Sequence, residues 1–360
     1  MFTPDPATYN TQLDSKISNI QTLFSDTDLP ELEIFTSTPL HFRYRTEFRI
    51  WHTQDGCFYA MFERGKNNAP HEVRTFPIAS QRINELMPRL LDAINRDTCL
   101  SKKLFQVEFL TTLSGEALVT LIYHKALDGL WETTARDLQQ QLGIHIIGRS
   151  RKQKVVLEKD WVLEELSVAG SPLKYQQIEG GFTQPNAKMN EKMLAWAQSV
   201  STSLQGDLLE LYCGNGNFSI ALAEKFNQVL ATEISKTSIK AAQFNKEINN
   251  IQNLQFVRMS AEEFTQAIQK VREFRRLKDI DLESYDFQTV LVDPPRAGLD
   301  DESIKMIQAY DNIIYISCNP ETLRQNLVQL SDTHTIKRYA VFDQFPYTHH
   351  VESGVLLTKK

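Results

Sequence analysis

Two side chains in the last fifty residues have the types and neighbours that covalent catalysis needs. Cys318 stands in Ile316-Ser317-Cys318-Asn319-Pro320-Glu321, where an apolar run stops and Asn319-Pro320 opens a helix. A thiol ahead of a helix N-terminus is expected to have a lowered pKa, which favours a nucleophilic thiolate. The competing reading is a small hydrophobe at a strand end, the commoner fate of a free cysteine. A nucleophile that adds to its substrate must also be released, and release needs a base. Glu352, in Phe345-Pro346-Tyr347-Thr348-His349-His350-Val351-Glu352-Ser353-Gly354, is the candidate. A solvated glutamate fits that position equally well. His349 and His350 invite a metal reading, but their spacing with Cys318 makes no recognised ligand set, and no metal is expected. The four cysteines, Cys57, Cys99, Cys213 and Cys318, contain no CxxC pair, so no iron–sulfur cluster is expected and free thiols are.

A second constellation binds rather than reacts. Asp207-Leu208-Leu209-Glu210-Leu211-Tyr212-Cys213-Gly214-Asn215-Gly216-Asn217-Phe218-Ser219 reads as a strand, a glycine turn and a helix start. Glycines let the backbone approach a ligand, and the helix N-terminus favours an anionic group. Ser219 occupies the third position of what would be GxGxxG, which weakens a dinucleotide reading. Glu233 ends the next strand, where an acid accepts hydrogen bonds from ribose hydroxyls. The acid Glu210 before the turn, with Tyr212 close by, suits a sulfonium better than a pyrophosphate. Val292-Asp293-Pro294-Pro295-Arg296 ends a further strand. A similar Asp-Pro-Pro serves amino-group methyl transfer, usually followed by an aromatic where this chain has Arg296.

These residues need a scaffold. Strands are expected at Leu208–Leu211, Val229–Thr232, Leu254–Met259, Thr289–Val292 and Ile313–Ser317, alternating with helices. Two more, Ile336–Phe342 and Gly354–Thr358, follow with no helix between them. The pattern implies an α/β fold with a doubly wound parallel sheet and an antiparallel terminal hairpin at its edge, an arrangement typical of S-adenosylmethionine (AdoMet) methyltransferases. Ligands of such sheets sit at the carboxyl ends of strands, so Asp293 and Cys318 should meet if their strands are adjacent. The other half reads as α+β: a helix over Tyr9–Phe24, strands over Arg43–Phe62 turning at Gln54-Asp55-Gly56, a helix over Gln81–Ile94, a hairpin over Leu104–Tyr123, a helix over Trp131–Leu142 and a strand at Ile144–Ile147. At 360 residues two domains are expected, 1–180 and 181–360.

A net charge of −6 gives no general affinity for a polyanion. Locally, His41 to His52 interleaves Arg43, Arg45 and Arg49 with four aromatics, and Arg149, Arg151, Lys152 and Lys154 form an acid-free run. Both suit phosphate contact and base stacking, although an ordinary half-exposed strand looks similar. With no leader-like N-terminus and no apolar run near 20 residues, the chain reads as cytoplasmic with no membrane association.

Glu47-Phe48-Arg49-Ile50-Trp51-His52, Phe182-Thr183-Gln184-Pro185-Asn186, the Leu209–Phe218 turn, Asp293-Pro294-Pro295-Arg296, Ser317-Cys318-Asn319-Pro320-Glu321-Thr322-Leu323 and the Phe345–Gly354 stretch together resemble the tRNA (uracil-5-)-methyltransferase family over nearly the whole chain. The resemblance implies an N-terminal α+β RNA-binding domain and a catalytic Rossmann-like domain with AdoMet as methyl donor. It implies Cys318 as nucleophile and Glu352 as proton acceptor. It puts Gln184, Tyr212, Asn217, Glu233 and Asp293 around AdoMet or the base, and Arg49, Phe105 and His124 on the RNA side. The implied substrate is uridine 54 in the T-loop of tRNA, with a related loop of transfer-messenger RNA (tmRNA) as a second; no obligate protein partner is evident. Ribosomal RNA uracil methyltransferases look similar, but several carry a β-barrel module and a four-cysteine cluster that this sequence lacks. An amino-group methyltransferase and an RNA-folding chaperone are the other readings.

Overall fold

The computed structural model describes residues 4–62 and 70–360. In chain order these form α1 (Tyr9–Leu23), β1 (Leu32–Phe35), β2 (Arg45–His52), β3 (Cys57–Phe62), β4 (Pro70–Glu72), α2 (Gln81–Arg96), α3 (Thr98–Ser101), β5 (Leu104–Thr111), β6 (Ala117–Tyr123), α4 (Gly129–Leu142), β7 (His145–Ser150), β8 (Gln153–Val156), β9 (Trp161–Val168), β10 (Ser171–Ile178), α5 (Ala187–Ser201), β11 (Asp207–Leu211), α6 (Asn217–Leu222), β12 (Val229–Thr232), α7 (Lys236–Ile248), β13 (Leu254–Val257), α8 (Ala261–Ile268), β14 (Phe287–Val292), α9 (Asp301–Ile307), β15 (Asn312–Ser317), α10 (Pro320–Leu330), β16 (His334–Phe342) and β17 (Glu352–Lys359).

The chain divides into two compact units. In the first, built mainly from Thr38–Glu165 with Gln177–Ala187, a seven-stranded sheet runs β4-β3-β2-β5-β6-β7-β8. Strand period 2 decides its faces. Thr46, Phe48 and Ile50 of β2 are buried, while Glu47, Arg49 and Trp51 are exposed. Phe48, Tyr59 and Phe109 pack with Leu86 and Leu90 of α2 and Trp131 of α4, each large side chain contributing about 2–3 kcal/mol by burial. Gly148 of β7 is glycine because a Cβ there would stand 2.3 Å from the Trp131 ring. Asp128 caps α4 by accepting from Trp131 N at 2.9 Å, and Gly143 closes it in the left-handed conformation.

The second unit joins Ala7–Ser37 and Leu166–Gln176 to Lys188–Lys360. Its eight-stranded sheet has the order β1-β16-β17-β15-β14-β11-β12-β13. The parallel part, β15-β14-β11-β12-β13, matches the five expected strand–helix units, and β17 runs antiparallel between β15 and β16. Every residue of β11 and β12 is buried, as a strand covered on both faces requires.

Two expectations change here. The terminal hairpin is not the sheet edge, because β1 adds parallel to β16, Leu32 opposite Tyr339 and Phe35 opposite Phe342. Nor are the units the two contiguous halves 1–180 and 181–360. Ile20 and Phe24 belong to the same core as Leu209, Val290 and Tyr339, so helix α1 and β1 are part of the unit that carries Cys318. One short strand and one helix were too little sequence to reveal that allegiance. Among the described residues, no helix is long and apolar enough to cross a membrane.

Candidate active site

Strand register assembles the site. Thr232, Leu211, Val292 and Tyr315 lie side by side across β12, β11, β14 and β15. The next residues along three of those strands are Glu233, Tyr212 and Asp293, so the sheet delivers all three to one row at its carboxyl end. On β15, Ser317 pairs with Ser353 of β17. Cys318 and Glu352 therefore occupy the next register position, opposite one another at the same end. Sequence placed Glu352 in a loop; it is the first residue of β17 and is 4% exposed.

Burial and like charge dominate the electrostatics. The Glu352 carboxyl is held well above the usual range by burial and by Asp293, which Arg296 only partly offsets. Burial pushes Asp293 up to about 7. Glu210, buried in β11, is pushed up to about 8 by burial, with Asp293 and Glu233 adding to it and a hydrogen bond from Ser219 Oγ opposing. The Cys318 thiol is also raised, by burial first and then by Glu352 and Asp293, with Arg296 opposing. That reverses the expected lowering. Asn319, not Cys318, caps α10, accepting from Glu321 N at 3.1 Å, and burial together with two neighbouring carboxyls outweighs the helix end. Cys213 is buried, and its thiol is pushed well above its ordinary value by burial, which suits a packing thiol and not a reacting one.

The glycine turn is built as its sequence suggested. Gly216 (φ 82°) is the N-cap of α6, and a Cβ there would stand 2.8 Å from the Phe256 ring. Gly214 (φ 56°) would meet nothing within 4 Å, which leaves open space beside the backbone. Glu233 Oε2 accepts from Gly214 N at 3.2 Å and its Oε1 from Ser235 N at 2.7 Å. Asn217 exchanges amide hydrogen bonds with Asn190 of α5 at 2.8 and 2.9 Å. Tyr212 adopts φ 63°, a left-handed conformation costly for a non-glycine residue. Gln184 lies in the other compact unit, just ahead of α5.

A cavity of about 600 Å³ opens over Cys318, lined also by Arg296, His349 and His350. Its opposite wall is α1, through Lys16 and Asn19, which sequence reasoning did not connect with the site. One trace existed: Lys16 sits on the buried stripe Tyr9, Leu13, Lys16, Ile20, where an apolar residue would be usual. Among the described residues, no group of His, Cys, Asp and Glu is arranged to hold a metal ion.

Arg49, Phe105 and His124 come together within the first unit. The rings of Phe105 and His124 stack at 4.3 Å, and the Arg49 guanidinium lies 4.9 Å from the Phe105 centroid. The wider basic segments are less available than their sequence implied. Arg45 donates to Gly181 O, and both Arg149 and Lys154 pair with Glu179, at 2.6 and 3.2 Å. Two of the run's four cations are thus paired with an acid that stands thirty residues beyond Arg149, which local composition could not show, and Lys154 also meets Asp160 at 2.8 Å.

A doubly wound sheet with a glycine turn after β11, an acid directly after β12 and an antiparallel last strand defines a Rossmann-like methyltransferase fold. The model of the tRNA (Uracil-5-)-methyltransferase family matches residues 8–360. A tRNA/tmRNA (uracil-C(5))-methyltransferase of Cellvibrio japonicus is 56% identical over 98% of this chain and 96% of its own length. Its counterpart from Acinetobacter baylyi is 57% identical over 97% and 98%. The crystal structure of a Pyrococcus abyssi tRNA (uracil-54, C5)-methyltransferase with S-adenosyl-L-homocysteine superposes with a TM-score of 0.73, covering 97% of this chain and 83% of that one at 22% identity. The chain belongs to the tRNA (uracil-5-)-methyltransferase family.

Proposed function

We propose that this protein transfers a methyl group from AdoMet to carbon 5 of uracil in tRNA, uridine 54 of the T-loop being the target and the related loop of tmRNA a second. The observation that carries the reading is the register that sets Cys318 opposite Glu352, one strand from Asp293. A cytoplasmic setting goes with this substrate.

The residues fit AdoMet. Open space beside Gly214 and the pinned carboxylate of Glu233 suit a nucleoside with its ribose. Burial raises the Glu210 and Asp293 carboxyls near the strand ends, and a sulfonium bound beside them would favour their charged forms. When bound, AdoMet supplies an electrophilic methyl group.

Uracil carbon 5 is a poor nucleophile. The Cys318 thiolate forms a bond to carbon 6, and the π electrons of the ring move onto the carbon 5–oxygen 4 enolate. That carbon takes the methyl group, and the electrons of the broken sulfur–methyl bond stay on the donor's sulfur. Glu352 then takes the carbon 5 proton, the double bond re-forms and the thiolate leaves. The raised Glu352 and Cys318 groups face one another, so a single negative charge is preferred between them: on sulfur, with Glu352 protonated, as the thiolate adds, and on the carboxyl once sulfur is bound to carbon 6 and Glu352 has released its proton to water. A loop base must be splayed out to enter, which single-stranded loops allow cheaply.

Labelled AdoMet offered with unmodified tRNA and ribosomal RNA, followed by mapping of the methylated base, tests the assignment. Label confined to ribosomal RNA would overturn it. Cys318→Ser should abolish transfer, where amino-group chemistry at Asp293-Pro294-Pro295 would survive. Glu352→Gln should lower kcat by about 10²–10⁴-fold and accumulate a covalent protein–RNA adduct. Normal turnover by that variant would remove Glu352 from the mechanism.

A further inference from the structure

Nothing in this chemistry uses α1, yet α1 grips the segment that delivers Glu352. Tyr9, Gln12 and Lys16 recur at helical spacing and face Asp343–Val351, the connection from β16 to β17. Lys16 Nζ donates to Asp343 Oδ1 at 2.6 Å and to Phe345 O at 2.9 Å. Gln12 donates to Asp343 Oδ2 at 3.4 Å and accepts from Tyr347 N at 3.0 Å. The rings of Tyr9 and Tyr347 meet edge to face at 6.1 Å. Asp343 is fully buried and Lys16 is 4% exposed.

A buried ion pair is a poor stabilising device, since apolar residues of similar volume often do as well. What it supplies is geometry: a charge in the core tolerates few alternative partners. Geometry is what a connection without regular structure lacks, and this one carries His349 and His350 to the cavity before entering β17 at Glu352. A base must stand within hydrogen-bonding reach of its proton, and a displacement of about 1 Å can lower a rate about 100-fold.

We propose that Lys16 is a positioning residue: through its ion pair with Asp343, α1 sets the Asp343–Val351 connection and hence the alignment of Glu352 with Cys318. The proposal rests on Glu352 being the base. It makes the N-terminal helix part of the elimination step, although no α1 residue takes part in the chemistry.

The test compares Lys16→Met and Asp343→Asn with Glu33→Gln, which breaks the Glu33–Arg338 pair elsewhere in the same unit. Lys16→Met should lower kcat about tenfold or more, leave KM for tRNA and AdoMet within about twofold, and raise the fraction of enzyme trapped as covalent RNA adduct. Asp343→Asn, still able to accept from Lys16, should move the same readouts less, and it carries the test if Lys16→Met does not fold. Glu33→Gln should lower Tm without trapping adduct. If the Lys16 and Asp343 variants lose Tm as Glu33→Gln does, with kcat and adduct fraction unchanged, the positioning role is overturned while adduct trapping by Glu352→Gln leaves the catalytic reading standing. If Glu352→Gln itself traps no adduct, that reading falls and the proposal with it.

Discussion

At Cys318 a helix end acts against burial and two nearby carboxyls, and burial and the carboxyls win. The thiol is raised by burial first and then by Glu352 and Asp293, and Arg296 is the one named neighbour that lowers it. Removing an anion should favour the thiolate. In Glu352→Gln, alkylation of Cys318 by iodoacetamide below the thiol pKa is expected to quicken about three- to tenfold, the equivalent of about 1 kcal/mol of charge interaction at a partly exposed site. Arg296→Ala should slow it. The pH dependence of alkylation measures both, and a Glu352→Gln profile superposing on the wild type would show that the two groups do not sense each other.

Strand β11 and its turn carry the clearest consequences at the level of elements. Glu210 has its folded pKa raised from 4.5 to about 8, so folding favours its protonated form. Its contribution is fully present below pH 4.5 and is lost as pH rises through about 8. Glu210→Gln removes that dependence. Relative to wild type it should gain stability of the order of a few kcal/mol between acidic pH and pH 9, read from thermal unfolding across that range. Equal pH slopes for the two proteins would contradict the burial argument. In the same turn, Gly216→Ala should destabilise by about 1–3 kcal/mol in urea unfolding, because φ 82° is strained for alanine and Phe256 occupies the space of its Cβ.

On the scale of the whole molecule, Cys318, Glu352 and Asp293 lie in one compact unit and the Arg49–Phe105–His124 stack in the other. If that stack meets RNA bases, Phe105→Ala should raise KM for tRNA about tenfold, within the 1–3 kcal/mol that one base–aromatic stack is worth, and leave AdoMet affinity unchanged. Isothermal titration with AdoMet and steady-state kinetics with tRNA separate the two. A matching loss of AdoMet affinity would point to damage to the fold instead.

The alternation of short apolar runs with helices was enough to locate the five parallel strands along the chain, and Val229–Thr232 was legible to the residue because a short run covered on both faces has sharp ends. Cys318 and Asp293 were legible as candidates because each follows such a run, and Glu352 because a nucleophile that adds needs a base for its release. Residue types alone, however, do not set the sign of a pKa shift. Cys318 looked activated until folding buried it and the sheet put two carboxyls beside it, and Arg149 and Lys154 looked free until folding brought Glu179 to them. The allegiance of α1 was least visible, since a helix pattern says which face is buried but not against what. Local patterns were settled by covalent order; which charges become neighbours was decided only when distant segments packed, because charge interactions depend on distance in space and on exclusion of water.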